Sequence, residues 1–159
     1  DGRLQPELRE HAVARLREVL LAWEGTPYLP GQCARQRGVD CVRFVAGVYA
    51  DLRGVPAAAL PRLPQDLSFH APGRALAAAA LMRRACAPLA RVRDGIVQPG
   101  DALVVARQTG APGHAMLAGF DPYTLWHAPG PGGRVEWTGL DLGRAAVLAV
   151  YRPTDQLAW

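Results

Sequence analysis

Apolar residues in the first third of the chain recur at the three- and four-residue spacing of amphipathic helices. The stripe in residues 7–23 consists of Leu8, Ala12, Leu16, Leu20 and Trp23. A second stripe consists of Cys41, Phe44, Val45, Val48, Tyr49 and Leu52. Asp40 is a suitable N-cap for this second segment, and Gly54 is a suitable residue to end it. We therefore predict helices over residues 7–23 and 40–53.

The pattern changes in the second half of the chain. Residues 55–73 are rich in proline, which favours an irregular connection, and the alanine-rich residues 75–87 predict a third helix. Short apolar segments between glycine and proline turns then predict five strands. They are residues 102–106, 114–120, 123–128, 134–137 and 146–151. Helices followed by an antiparallel meander are typical of an α+β domain.

The length of 159 residues, without an internal repeat or a linker, predicts a single domain over residues 1–159. Its net charge of +4 is modest and fits attraction to an anionic surface such as a bacterial wall. No dense basic run with interleaved aromatic residues is present, so nucleic-acid binding is not expected. No apolar stretch is long enough to span a bilayer. The oligomeric state is left open.

The three cysteines, Cys33, Cys41 and Cys86, cannot all pair with one another. A scaffold held by disulfides is therefore not expected. The chain begins with Asp1-Gly2-Arg3, which is not a signal-peptide pattern. Whether a signal peptide was removed or never existed is left open, and so is the compartment.

Cys41 and two distant histidines form a candidate catalytic set. Backbone N–H groups and the dipole at a helix start favour a thiolate, so we expect a lowered pKa for Cys41. The Asp40 carboxylate would oppose this unless it caps the helix. His114 and His127 lie on neighbouring predicted strands, where His114 can act as general base and His127 can orient it. Taken singly, each of these residues is more commonly structural.

A zinc site is the metal alternative for the same residues. Cys41, His114 and His127 could coordinate zinc, with Asp101 or Asp121 as fourth ligand. No paired-ligand spacing such as His-x-x-x-His supports this arrangement. We therefore predict that the protein uses no metal and no other cofactor.

A series of short motifs follows one another along most of the chain. They are Gly25-Thr26-Pro27-Tyr28, Asp40-Cys41, Phe44-Val45, Val48-Tyr49, Leu60-Pro61-Arg62, Gln98-Pro99-Gly100-Asp101, His114, Trp126-His127-Ala128 and Val150-Tyr151-Arg152-Pro153. In order and spacing they resemble the NlpC family of bacterial cell-wall cysteine endopeptidases. The resemblance covers residues 23–153, after an N-terminal helix over residues 1–22. It implies a papain-like α+β fold, with N-terminal helices packed on a C-terminal antiparallel sheet of about five strands.

The resemblance also implies roles for individual residues. Cys41 is the nucleophile, His114 the base and His127 the third member of the triad. Tyr28 matches the family tyrosine whose hydroxyl lies near the nucleophile and, with the Cys41 backbone N–H, helps to stabilise the oxyanion. The expected activity is cleavage of peptidoglycan stem peptides through a thioester acyl-enzyme. The expected location is the cell envelope, the exterior of the cell or a phage tail.

One departure from the family pattern leaves the substrate open. The family usually has Ser-Gly after the cysteine, whereas this chain has Val42-Arg43. Arg43 either points into the cleft, where it binds a substrate carboxylate or blocks access, or points to solvent, which the sequence slightly favours. The alternatives are a hydrolase of another amide or a lipid ester, and a degenerate, non-catalytic wall-binding or phage-tail module.

Overall fold

A computed structural model describes residues 6–56, 89–107, 114–121, 124–139 and 145–154. The helices in these ranges are α1 (Pro6–Trp23) and α2 (Cys41–Leu52). The strands are β1 (Cys33–Ala34), β2 (Gly38–Val39), β3 (Leu89–Arg91), β4 (Ala102–Arg107), β5 (His114–Ala118), β6 (Thr124–His127), β7 (Glu136–Gly139) and β8 (Ala145–Pro153). The predicted third helix and the Leu60-Pro61-Arg62 motif lie outside the described residues.

The main sheet is antiparallel and has the strand order β3-β8-β4-β5-β6-β7. A separate two-stranded sheet pairs β1 with β2 just before α2. The predicted α+β class with helices preceding an antiparallel sheet is confirmed. The five predicted strands correspond to β4 to β8, and β3 is an additional edge strand. That residues 1–159 together form a single domain stays a prediction.

Helix α2 is the central element of the core, and nearly all of its residues are buried. Helix α1 packs on it through Leu16, Val19, Leu20 and Trp23. The two helices approach closely at Gly47, where an added Cβ would lie 2.6 Å from the Trp23 ring. The N-terminal part of the predicted α1 stripe is not buried, since Leu8 is 50% exposed.

One face of the sheet packs against α2, as the alternation of side chains along a strand predicts. The residues of this face are Ala102, Val104, Ala115, Leu117, Trp126, Ala149 and Tyr151. A further link is the Tyr49 hydroxyl, which donates a 2.7 Å hydrogen bond to the Gly100 carbonyl oxygen. This bond fixes α2 against the turn that leads into β4.

Asp101 closes the Gln98-Pro99-Gly100-Asp101 turn and is completely buried. Its carboxylate accepts hydrogen bonds from Arg152 Nε at 2.9 Å, from Arg152 Nη2 at 2.8 Å and from the Gln98 backbone N–H at 2.8 Å. Burial raises the pKa of Asp101, and the hydrogen bonds from Arg152 lower it. The motif therefore has a structural role, since it pairs a buried carboxylate at the start of β4 with an arginine of β8.

We expect Arg152→Met to destabilise the fold, because it leaves the Asp101 carboxylate buried without its cation. The expected loss is about 3 kcal/mol in the free energy of unfolding at neutral pH. Removing Arg152 raises the pKa of Asp101 further. Once Asp101 is protonated it carries no charge, so the substitution then costs less folding free energy. The loss relative to wild type should therefore be largest above neutral pH and shrink as the pH falls.

Urea unfolding of both proteins over a pH series measures this difference. Arg91→Met is the matched control, because Arg91 is an exposed arginine on the neighbouring strand β3. Its effect should stay within about 0.5 kcal/mol at every pH. A loss for Arg152→Met that is the same at low and high pH would contradict the role given to the Asp101 charge.

Candidate active site

The N-terminus of α2 is held by Asp40, which places Cys41 at the first helical position. Asp40 has the extended backbone of an N-cap, and its Oδ1 accepts a 2.9 Å hydrogen bond from the Arg43 backbone N–H. Its Oδ2 accepts a 2.8 Å bond from the Gly31 backbone N–H in the preceding loop. The predicted cap is therefore present, and it also fixes the loop that leads into the helix.

The Cys41 thiol is almost enclosed, with 6% of the residue exposed. Burial raises its pKa to about 12, although backbone hydrogen bonds at Ala115 and Val42 act to lower it. The nearby Asp40 carboxylate adds to the increase. The expectation of a lowered thiol pKa is therefore wrong for the resting protein. Loss of solvation at this position outweighs the helix dipole, so the thiol keeps its proton at neutral pH.

The hydrogen bond at Ala115 shows where the sulfur lies relative to the sheet. Ala115 is the second residue of β5 and directly follows His114. The Cys41 sulfur is thus at the start of the strand that carries the proposed base. Helix α2 and strand β5 also pack against each other.

The structure brings the two predicted histidines together. His114 Nε2 and His127 Nδ1 are 2.7 Å apart, and the ring planes are inclined by 75°. Both residues are buried, at 8% exposure each. In the pairing of β5 with β6, Leu117 lies opposite Trp126. Continuing this register puts the two histidines on the same face as diagonal neighbours, which places the imidazoles within reach of each other.

A fourth polar residue, Glu136, extends this row of side chains. It lies directly opposite His127 in the pairing of β6 with β7. Its Oε1 is 3.3 Å from His127 Nε2, and its side chain is 59% exposed. Sequence reasoning missed Glu136, because only the register of the hairpin after His127 reveals that the two residues are partners.

Tyr28 also lies near the cysteine, as the resemblance implies. The residue is half-buried, and its backbone N–H donates a 2.9 Å hydrogen bond to the Gly133 carbonyl oxygen. Burial raises the pKa of its hydroxyl, and the proximity of Cys41 and Asp40 raises it further. The phenol therefore keeps its proton and remains able to donate a hydrogen bond.

Arg43 does not point to solvent, so the orientation that the sequence favoured is wrong. The residue is 8% exposed, and its Nη1 donates a 2.6 Å hydrogen bond to Asp40 Oδ2. The guanidinium folds back over one helical turn because the N-cap carboxylate offers a partner three residues earlier. The two opposite charges therefore form a buried ion pair next to the cysteine.

Cys33 supports the same helix from the side of the small sheet. Its thiol donates a 3.3 Å hydrogen bond to the Arg43 carbonyl oxygen, and burial raises its pKa to about 11. Cys33 and Cys41 are both free thiols. Cys86 lies outside the described residues.

Within the described ranges, no group of three or more His, Cys, Asp or Glu residues is arranged to hold a metal ion. Asp101, a candidate zinc ligand in the sequence, is bonded to Arg152 instead. Among the helices described, none has the length and apolar character needed to cross a membrane.

Comparisons with known proteins identify the fold. The chain matches no protein-family model and no curated protein. The NlpC/p60 domain of the peptidoglycan hydrolase SagA is 19% identical, with a TM-score of 0.54 over 87% of this chain and 97% of that domain. The peptidoglycan hydrolase RipB from Mycobacterium tuberculosis is 16% identical, with a TM-score of 0.53 over 95% of this chain and 69% of RipB.

A third similar structure is a Staphylococcus aureus protein of the NLP/P60 family, described as similar to a lipoprotein. It is 18% identical, with a TM-score of 0.52 over 95% of this chain, which spans only 43% of that protein. The chain thus has the papain-like α+β fold of NlpC/p60 domains. The predicted resemblance to the NlpC family is confirmed at the level of the fold.

We expect Cys41 to react slowly with iodoacetamide at neutral pH, because the thiolate is the reactive form and burial raises the pKa of this thiol. The alkylation rate should rise about tenfold per pH unit well into the alkaline range. Mass spectrometry of the Cys41 peptide after timed alkylation measures this rate. Cys33, in a separate tryptic peptide, serves as an internal comparison. A rate that levels off near neutral pH would contradict the raised pKa.

Proposed function

We propose that this protein is a cysteine hydrolase that cleaves an amide bond in peptidoglycan stem peptides. The observation that carries the proposal is the 2.7 Å contact between His114 and His127, together with the hydrogen bond that ties the Cys41 sulfur to the backbone of Ala115, the residue after His114. A base oriented by a third group next to a nucleophile is the arrangement used for acyl transfer. The names of two proteins with the same fold, SagA and RipB, support the choice of substrate.

In the proposed mechanism, Cys41 starts as a neutral thiol. His114 takes the thiol proton while the sulfur attacks the carbonyl carbon, so that a free thiolate does not have to accumulate. His114 then gives this proton to the leaving amine as the C–N bond breaks and a thioester forms. Water, activated by His114, hydrolyses the thioester and releases the acid. His127 holds the imidazole of His114 in the orientation that both transfers need.

Negative charge develops on the substrate's carbonyl oxygen as the sulfur attacks, and hydrogen-bond donors must already be in place to stabilise it. In this proposal the backbone N–H of Cys41 is one donor, since it belongs to the first turn of α2. The Tyr28 hydroxyl is the second. Its raised pKa supports this role, because a protonated phenol donates a hydrogen bond and a phenolate does not.

Arg43 remains the proposed determinant of the substrate. Its guanidinium is paired with Asp40, and in this proposal a substrate carboxylate competes with the Asp40 carboxylate for it. This exchange selects for an anionic group held in a fixed position near the scissile bond. Peptidoglycan stems carry such carboxylates, which is why Arg43 is compatible with the proposed substrate.

We propose that the protein acts at the cell envelope, outside the cell or in a phage tail, where peptidoglycan is accessible. Its net positive charge favours binding to an anionic wall. The second candidate is a non-catalytic module of the same fold that binds the wall. The near-complete burial of the Cys41 thiol favours this alternative, because a substrate carbonyl has to reach the sulfur. The remaining alternative is a hydrolase of another amide or of a lipid ester, which would use the same mechanism.

Replacing Cys41 by alanine tests the nucleophile. We expect the rate of fragment release from purified peptidoglycan to fall by at least about 10⁴-fold, since no other group on the helix start can form the acyl-enzyme. Liquid chromatography with mass spectrometry identifies the fragments and therefore the scissile bond. Cys33→Ala, which removes the β1 thiol that is hydrogen-bonded to the Arg43 carbonyl oxygen of α2, is the matched control and should keep its activity. Release of the same fragments by Cys41→Ala at the wild-type rate would refute the assignment.

Replacing Tyr28 by phenylalanine removes only the hydroxyl. We expect kcat to fall by about tenfold to 100-fold with little change in KM, because the donor acts on the oxyanion of the transition state. Steady-state kinetics on a soluble stem peptide separates the two constants, and thermal unfolding controls for stability. An unchanged kcat would exclude Tyr28 as an oxyanion donor.

A further inference from the structure

We propose that Glu136 is a positioning residue that fixes where the protons lie in the pair of His114 and His127. This inference rests on the proposed function, because it concerns the nitrogen with which His114 acts as base. Glu136 belongs to β7, one of the two edge strands of the main sheet as described, and none of the sequence motifs includes it. Its effect on Cys41 passes through both imidazoles.

The first step is the contact between Glu136 and His127. A carboxylate accepts hydrogen bonds and does not donate them. With Glu136 Oε1 at 3.3 Å from His127 Nε2, the proton of this contact therefore lies on Nε2. The direct pairing of the two residues across β6 and β7 places their side chains next to each other on the same face of the sheet.

The second step is the contact between the two rings. A neutral imidazole with its proton on Nε2 has a lone pair on Nδ1. Nδ1 of His127 is the atom 2.7 Å from Nε2 of His114, so it accepts a hydrogen bond from that nitrogen. The proton of His114 consequently lies on Nε2.

The third step concerns Nδ1 of His114, the other nitrogen of the proposed base. With the proton of neutral His114 on Nε2, its Nδ1 is the unprotonated nitrogen and can act as base. The opposite order, with His127 donating from Nδ1, would put the proton of His114 on Nδ1 and remove the base. The two orders have the same N–N distance, so the contact between the rings alone does not choose between them. Glu136 makes the choice, because its carboxylate requires a proton on His127 Nε2.

Nuclear magnetic resonance of protein with ¹⁵N-labelled histidine tests the inference without relying on activity. Long-range ¹H–¹⁵N spectra distinguish a protonated ring nitrogen from a bare one, and single His→Gln variants assign the four histidines. We expect both His114 and His127 to carry the proton on Nε2 in the wild type. In Glu136→Ala, we expect His127 to populate the form protonated on Nδ1. A wild-type His127 protonated on Nδ1, or a spectrum unchanged by Glu136→Ala, would overturn the proposal.

Two variants separate this role from a purely structural one. Glu136→Gln keeps an accepting carbonyl oxygen, so it should retain the wild-type proton positions and restore most of the activity that Glu136→Ala loses. Glu24→Ala removes an exposed glutamate in the turn just after α1 and is the control for loss of a surface charge. It should leave both the histidine signals and the kinetics unchanged.

Kinetics gives the second readout. The exposure of Glu136 limits the strength of its contact, so Glu136→Ala should lower kcat by about fivefold and leave KM within about twofold. An unchanged kcat would contradict the catalytic consequence. If the wild-type protein hydrolyses neither purified peptidoglycan nor a soluble stem peptide, the proposed function fails. The spectra would still decide where the protons of the two histidines lie.

Discussion

The hydrogen bond between His114 Nε2 and His127 Nδ1 is the contact on which the site depends. It requires β5 and β6 to pair in one register, because a shift of one residue would turn one imidazole to the other face of the sheet. The same sheet packs against α2, which carries Cys41 at its first residue, and a hydrogen bond at the Ala115 backbone ties the Cys41 sulfur to the start of β5. The position of the proposed base relative to the thiol thus follows from the packing of a single helix on a single sheet.

Burial controls the chemistry of this site more strongly than the helix dipole does. A half-charge at the helix start stabilises a thiolate, but removal of water from the sulfur costs more. The outcome is a thiol with a raised pKa, and the proposed mechanism therefore has the base take the proton in concert with the attack. The same low exposure explains the pairing of Arg43 with Asp40, since a charge buried next to the cysteine needs an opposite charge.

The sequence predicted the two described helices closely, because their ends carry strong local signals. Asp40 is a cap that is recognisable without any tertiary information, and the apolar stripe of α2 is continuous. The strands β4 to β8 were also predicted, from short apolar segments between turns. Strand β3 was missed because its three residues are largely exposed and pair only with β8, which is far away in the chain.

The predicted proximity of His114 and His127 is confirmed, whereas the catalytic roles of the site residues stay predictions. His114 and His127 were paired from their positions on neighbouring strands. The predicted lowering of the Cys41 pKa and the predicted solvent-facing orientation of Arg43 were wrong. Both depend on how far the packed sheet and loops exclude solvent from these residues, which the sequence does not reveal. Glu136 was missed because its partner is set by hairpin register, which no single residue of the turn reveals.

The central claim is that the Cys41 sulfur becomes acylated with the help of His114. Its most direct test is to mix the protein with a soluble stem peptide, quench the reaction in acid within milliseconds to seconds, digest the protein in acid with pepsin, and measure the mass of the Cys41 peptide. We expect a transient thioester on the Cys41 peptide in the wild type that does not accumulate in His114→Ala. Hydrolysis without any acyl adduct on Cys41, or an adduct that forms equally fast in His114→Ala, would contradict it.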